Sequence, residues 1–266
     1  MMNQECIQTK DLQIAYENEI IIQKLNLKIP KGKITMVIGS NGCGKSTLLK
    51  AMSRIIPSRH GEILLHGTSL RRQASKAIAR KMAVLPQSPS IPTGLMVKEL
   101  VAYGRFPYQR PMSGLNEHDL QMIEWAMYST GVYELREKMV ESLSGGQRQR
   151  AWIAMALAQE TEILVLDEPT TYLDMSHQIE ILKLLKKLNQ ENNRTIIMVI
   201  HELNHASKFA DHLIGMKKGN VLFEGAPADV ITRENLVQLY GIDARLEQSR
   251  TGDYPICVDY DTLESV

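Results

Sequence analysis

The stretch ITMVIGSNGCGKSTLLKAM, residues 34–52, decides the fold. Ile34–Ile38 is a short unbroken apolar run, as expected of a strand buried on both faces. After Thr47 come good helix formers, with the helical run predicted to continue through LLKAMSRII. Between them Gly39, Ser40, Asn41, Gly42, Cys43, Gly44, Lys45 and Ser46 fit G-x-x-x-x-G-K-[ST] in the strand-turn-helix setting that this motif requires. The glycines let backbone N–H groups curl around a phosphate, and the helix N-terminus that follows favours negative charge. Lys45 is placed to reach the β- and γ-phosphates, and the Ser46 hydroxyl to bind Mg²⁺. The glycines fall as G-x-x-G-x-G, which is not a dinucleotide fingerprint. Residues 39–47 therefore predict binding of a nucleoside triphosphate with Mg²⁺.

A second apolar strand, ILVL, ends in Asp167-Glu168. Open parallel sheets gather ligands at the carboxyl ends of their strands, so these acids belong beside the phosphate loop. Asp167 suits Mg²⁺, held through water. Glu168, pointing the other way, suits the general base that polarises an attacking water.

The rest of the chain supplies the sheet. CIQTKDLQIAY and IIQKLNLKIP read as early strands, the latter alternating apolar and polar. EILLHG, KMAVLPQ and TIIMVIH read as later ones, and strand–helix alternation implies a parallel sheet covered by helices. The fold class is α/β. From Ser88 to about Glu141 the sequence turns helix-rich, with VKELVAYGRF and HDLQMIEWAMYST as the best helical patterns, and reads as an inserted subdomain. ARLEQSRTGDYPICVDY reads as a hairpin turning at Arg250–Asp253.

With 44% hydrophobic and 23% charged residues, the 266-residue chain has the make-up of a soluble globular protein. Lys+Arg 31 against Asp+Glu 30 leaves a net charge of +1, so no overall basic footprint points to nucleic acid. MMNQECIQTK lacks the apolar core of a signal peptide. The longest apolar stretches fall far short of the roughly 20 residues of a membrane span, so any work at a membrane goes through a partner. Cys6, Cys43 and Cys257 are too scattered for a disulfide framework or metal cluster, which fits a reducing cytoplasm. Cys43, beside Lys45 and a helix N-terminus, is expected to have a lowered thiol pKa.

Between the phosphate loop and ILVLDE stands LSGGQRQR, residues 143–150. Ser144 with Gln147 reads as a capping box, yet the helix it starts opens with Gly145 and Gly146, poor helix formers. Orphan N–H groups at that N-terminus attract an anion, and missing side chains let it approach.

LSGGQ after a phosphate loop and before LVLDEP resembles the ATP-binding-cassette ATPases. The resemblance covers about residues 5–260. It implies a phosphate-loop core with a mostly parallel sheet, an N-terminal antiparallel β-subdomain and an inserted helical subdomain. It also implies one cassette over 1–262, its helical subdomain over about 88–160 including the signature, and a C-terminal hairpin over about 241–262. In that family two subunits sandwich ATP. Lys45, Ser46, Gln87, Asp167, Glu168 and His201 would come from one copy, and Ser144, Gly145, Gly146 and Gln147 from the other. Tyr16 resembles the adenine-stacking aromatic. Gln87 resembles the glutamine that contacts Mg²⁺ and the attacking water. Leu173-Asp174 resembles the loop pairing across the dimer, and His201 the histidine that bonds the γ-phosphate.

The finer wording is similar to ATPase subunits of bacterial ferric-siderophore importers, with heme and vitamin B12 importers as relatives. NGCGKSTLLKA, VKELVAYGRFPY, LDEPTTYLDMSHQIEIL and HELNHASKFADHLI carry this. Departures are Ser40 for a common Pro, Tyr108 for a frequent His, and Glu202 for the usual Asp. The resemblance implies a homodimer at the cytoplasmic face of the membrane, engaged with permease subunits and indirectly with an extracytoplasmic substrate-binding protein. Tyr103, Arg105 and Tyr108 are the candidate permease contacts. The alternatives are a soluble cassette ATPase of partner assembly, such as the iron–sulfur type, or an importer for heme or vitamin B12.

Overall fold

The computed structural model describes residues 5–17, 19–87, 89, 93–110 and 114–263. Residues 1–4 and Ser88, where two of the expected boundaries begin, lie outside the described residues. The chain opens with two long strands, β1 (Glu5–Tyr16) and β2 (Glu19–Pro30). Then come β3 (Ile34–Ile38), the phosphate loop and α1 (Lys45–Met52). β4 (His60–Leu65) and β5 (Thr68–Ser69) close an antiparallel sheet of order β2-β1-β4-β5, and α2 (Ser75–Ala79) leads into β6 (Met82–Leu85). α1 stops short of the expected run. Arg54 takes φ 58 and anchors its guanidinium on the Leu70 carbonyl and the Ser75 hydroxyl, which turns the chain away from the helix.

The helix-rich segment holds α3 (Val97–Ala102), α4 (Glu117–Thr130) and α5 (Gly145–Ala158), joined by short 3₁₀ turns. β7 (Ile163–Asp167), α6 (Met175–Asn192), β8 (Thr195–Val199) and α7 (Leu203–Phe209) restore the alternation. β9 (His212–Lys217) and β10 (Asn220–Gly225) complete the second sheet. α8 (Pro227–Val230) and α9 (Arg233–Tyr240) precede the hairpin of β11 (Ile242–Gln248) and β12 (Pro255–Thr262). Its turn falls between Gln248 and Pro255, as expected.

The second sheet runs β10-β9-β3-β8-β7-β6 and is parallel except for the β9–β10 edge. All five residues of β3, β7 and β8 are buried. Alternate side chains serve two cores, following the two-residue period of a strand. Ile34, Met36, Ile38, Leu164, Leu166, Ile196 and Met198 face the helical side with α5 and α6. Val37, Ile163, Val165, Ile197 and Val199 face α1 and the antiparallel sheet. α1 is thereby held between the two sheets, with its N-terminus at the carboxyl edge of β3.

One expected surface residue is a core residue. Arg105 is 1% exposed. Its Nε donates to Asp119 Oδ1 at 2.8 Å, and its Nη1 to the Ala158 carbonyl at 2.8 Å and Glu160 at 3.0 Å. The Tyr108 ring lies 4.1 Å from its guanidinium carbon. A buried guanidinium must be paired, and that need places Arg105 inside. Tyr103 and Phe106 beside it are exposed.

Candidate nucleotide site

The phosphate loop turns sharply because Gly39 sits at φ 148, with no room for a side chain. A Cβ there would lie 2.1 Å from the Met216 carbonyl of β9. Gly39 is thus set by sheet packing, while at Gly42 (φ 75) nothing lies within 4 Å. Lys45 is buried and bridges the loop, its Nζ donating to the carbonyls of Gly39 at 2.8 Å and Ser40 at 2.9 Å.

The strand ends deliver the acids. Ser46 Oγ donates to Asp167 Oδ1 at 2.8 Å. Burial raises the Asp167 pKa, and the neighbouring Glu168 charge adds to this, against the Ser46 hydrogen bond and the Lys50 and Lys45 charges. No ion-pair partner for Asp167 occurs among the described residues. A desolvated carboxylate bonded to a hydroxyl, with Gln87 lining the same cleft as Ser46, offers oxygen donors of the kind Mg²⁺ takes.

Glu168 follows at φ 52, a conformation that few non-glycine residues adopt. Three groups grip the carboxylate: the Gln87 amide, Thr171 Oγ1 at 3.0 Å, and His201 Nε2 at 2.6 Å. An open cleft of 640 Å³ joins these parts, lined among others by Asn41, Gly42, Gly44, Lys45, Ser46, Thr47, Gln87, Glu168 and His201. Sequence reasoning missed Thr171, Ile21 and Tyr172, which also line it. The Thr171 signal was its place three residues after Glu168, the spacing of a turn in which a hydroxyl meets the preceding side chain.

Other expected site residues stand apart from the cleft within this chain. Tyr16 is 43% exposed at the end of β1, opposite Glu19. Ser144 caps α5 as expected, Gln147 N–H donating to its Oγ and Ser144 N–H to Gln147 Oε1, both at 3.3 Å. The glycines that follow differ in cause. A Cβ on Gly146 would lie 2.7 Å from the His177 ring, so within the chain a side chain there would displace the ring from its hydrogen bond to Asp174. A Cβ on Gly145 would meet only Leu173 Cδ2, at an ordinary 3.5 Å. Only Gly145 is left open for an approaching ligand to explain. Asp174 caps α6, accepting from His177 N–H at 2.9 Å and the Ser176 hydroxyl at 2.9 Å. These bonds and the His177 side chain hold its carboxyl down to about 2.

The Cys43 expectation is corrected. The thiol is 3% exposed, and burial raises its pKa in spite of the Lys45 charge. Lys45 Nζ lies 4.0 Å from the sulfur, and its close bonds go to the two carbonyls.

Comparison with known proteins bears on this geometry. Residues 22–171 match the ABC transporter family. The chain is 52% identical over 259 residues to the iron(3+)-hydroxamate import ATP-binding protein FhuC of Bacillus subtilis, covering 97% of this chain and 96% of that one. It is 42% identical to the ferric enterobactin transport ATP-binding protein FepC of Escherichia coli, over 94% and 92%. Among solved structures, the dimeric cassette MJ0796 in a post-hydrolysis state with ADP and Pi superposes with a TM-score of 0.72. It shares 28% identity and covers 83% of this chain and 98% of that one.

Proposed function

The chain belongs to the ABC transporter ATPases, and from that premise we propose that it is the ATP-hydrolysing subunit of a bacterial importer for an iron–siderophore complex. The observation that carries the chemistry is the grip of Gln87, Thr171 and His201 on Glu168 beside the phosphate loop. The cargo class rests on the names of the relatives, an iron(3+)-hydroxamate import ATP-binding protein and a ferric enterobactin transport ATP-binding protein.

In this reading Lys45 and the loop N–H groups hold the phosphates, and Ser46, Asp167 and Gln87 would hold Mg²⁺. The bound ion would neutralise charge on the phosphate oxygens. Glu168 takes a proton from the attacking water as its oxygen bonds to the γ-phosphorus and the bond to the ADP oxygen breaks. His201 and Lys45 donate to the departing γ-phosphoryl oxygens, and Tyr16 stacks on adenine.

Ser144, Gly145, Gly146 and Gln147 do not line the cleft of their own chain. We assign them to the ATP of a second copy, with Asp174 at the dimer seam. The dimeric cassette relative supports this arrangement. We read residues 1–262 as one cassette, with 88–160 as the helical subdomain and 241–262 as its hairpin tail. Among the described residues no helix is long and apolar enough to cross a membrane. By analogy with its import relatives, we place the chain at the cytoplasmic face, working through permease subunits and, through them, an extracytoplasmic binding protein. Tyr103 and Tyr108 remain candidate permease contacts.

The test is Glu168→Gln. The variant is expected to bind ATP normally and to hydrolyse it roughly a hundredfold to ten-thousandfold more slowly, the range for a lost general base. Single-turnover hydrolysis near the wild-type rate would remove Glu168 from that role.

A further inference from the structure

The C-terminal hairpin has no part in the site as described, yet it is fastened to it. The Asn204 side chain brackets one residue of β12. Its Nδ2 donates to the Cys257 carbonyl at 2.9 Å, and Cys257 N–H donates to its Oδ1 at 2.8 Å. A side-chain amide here takes the place of a neighbouring strand's peptide. One turn further along α7, the buried Ser207 hydroxyl donates to the Pro255 carbonyl at 2.5 Å.

Those two residues sit on the helix that follows His201 almost at once. α7 begins at Leu203, and Ala206 N–H bonds back to the Glu202 carbonyl at 3.0 Å. On the other side His201 leaves the sheet directly, since Ile200 N–H is bonded to Val37 O at 3.2 Å. The imidazole that meets Glu168 is therefore carried on a link of two residues between a rigid sheet and a helix pinned by the hairpin. The same C-terminal module reaches the phosphate loop. Tyr240, the last residue of α9, is partly buried with its hydroxyl near the loop: burial pushes the phenol up, and the Gly39 backbone opposes this. Leu263 N–H closes the base of the hairpin on the Gly241 carbonyl at 3.2 Å.

We propose that the hairpin is a brace for the nucleotide site. By holding α7 through Asn204 and Ser207 it sets where the His201 imidazole stands against Glu168, and these two are positioning residues for hydrolysis. The proposal rests on the reading of His201 as a γ-phosphate contact. Displacements of about 1 Å at a catalytic group can cost about a hundredfold in rate, so loosening this pin reaches the chemistry without touching the nucleotide. Asn204 is exposed, so its truncation leaves the core intact.

The experiment is a double-mutant cycle on the purified full chain with MgATP. Asn204→Ala and Ser207→Ala should each lower kcat by roughly tenfold, with KM for ATP changed less than about twofold. In a His201→Ala background Asn204→Ala should add nothing, because it acts through that imidazole. Wild-type kcat in both anchor variants while His201→Ala is impaired would overturn the proposal. So would multiplying effects in the double variant. Full kcat in His201→Ala would instead remove the reading of His201 on which the proposal stands. Should Asn204→Ala not fold, Asn204→Asp carries the same cycle. It keeps the acceptor for Cys257 N–H but sets a carboxylate oxygen against the Cys257 carbonyl, and is expected to lower kcat at least as much as the alanine variant.

Discussion

At Cys43 two effects compete, and the geometry decides between them. A cation and a helix N-terminus stabilise a thiolate, while burial opposes one. Lys45 has turned its ammonium to two carbonyls, leaving the sulfur to the apolar surroundings of Ile21 and the second core. Burial wins. N-ethylmaleimide at neutral pH should leave Cys43 unmodified in the native chain and label it once guanidinium unfolds the protein, as read by peptide mass. Fast native labelling of Cys43 would contradict its burial. Cys43 also marks what a sequence can convey at this scale. The motif placed the residue in the loop, but the direction of Lys45 depends on backbone carbonyls that no motif records. Gly146 is similar, since its constraint is the ring of His177, far along the chain.

Among the elements, α5 links two regions that the sequence treats separately. Its N-terminus carries Ser144, Gly145 and Gln147, and its C-terminal carbonyl at Ala158 accepts from Arg105. Gly104 lets the segment lie against this helix, for a Cβ there would come within 2.2 Å of the Met155 carbonyl. The exposed Tyr103 and Phe106 thus rest on a buried ion pair that is fixed to the signature helix. Arg105 read as a surface contact because its partners, Asp119 and Glu160, lie 14 and 55 residues away. Burial pushes the Asp119 carboxyl up, but the Asn116 N–H and Arg105 outweigh it and leave it below its usual range. Arg105→Met should lower unfolding stability by about 3–5 kcal/mol in urea titration, because Asp119 is left buried without its partner. A change below about 1 kcal/mol would show that the pair is not what holds this segment.

Across the whole molecule the sheet, the phosphate loop and the acids at the ends of its strands were legible, since each follows from local apolar runs and motif spacing. The hairpin's shape was legible too. Its attachment was not, because Asn204 and Ser207 meet residues 53 and 48 positions later through backbone groups. The cleft collects Lys45, Ser46, Gln87, Glu168 and His201, while Ser144, Gly145, Gly146 and Gln147 do not line it in the same chain. With the signature assigned, as proposed, to the ATP of a second copy, the dimer is the unit of hydrolysis. The most direct measurement is sedimentation velocity of Glu168→Gln with and without MgATP. The account predicts monomers without nucleotide and a dimer holding two ATP with it, abolished when Gly145→Asp places a charge against the partner's phosphate. A chain that binds ATP fully and stays monomeric at every concentration would contradict the composite site.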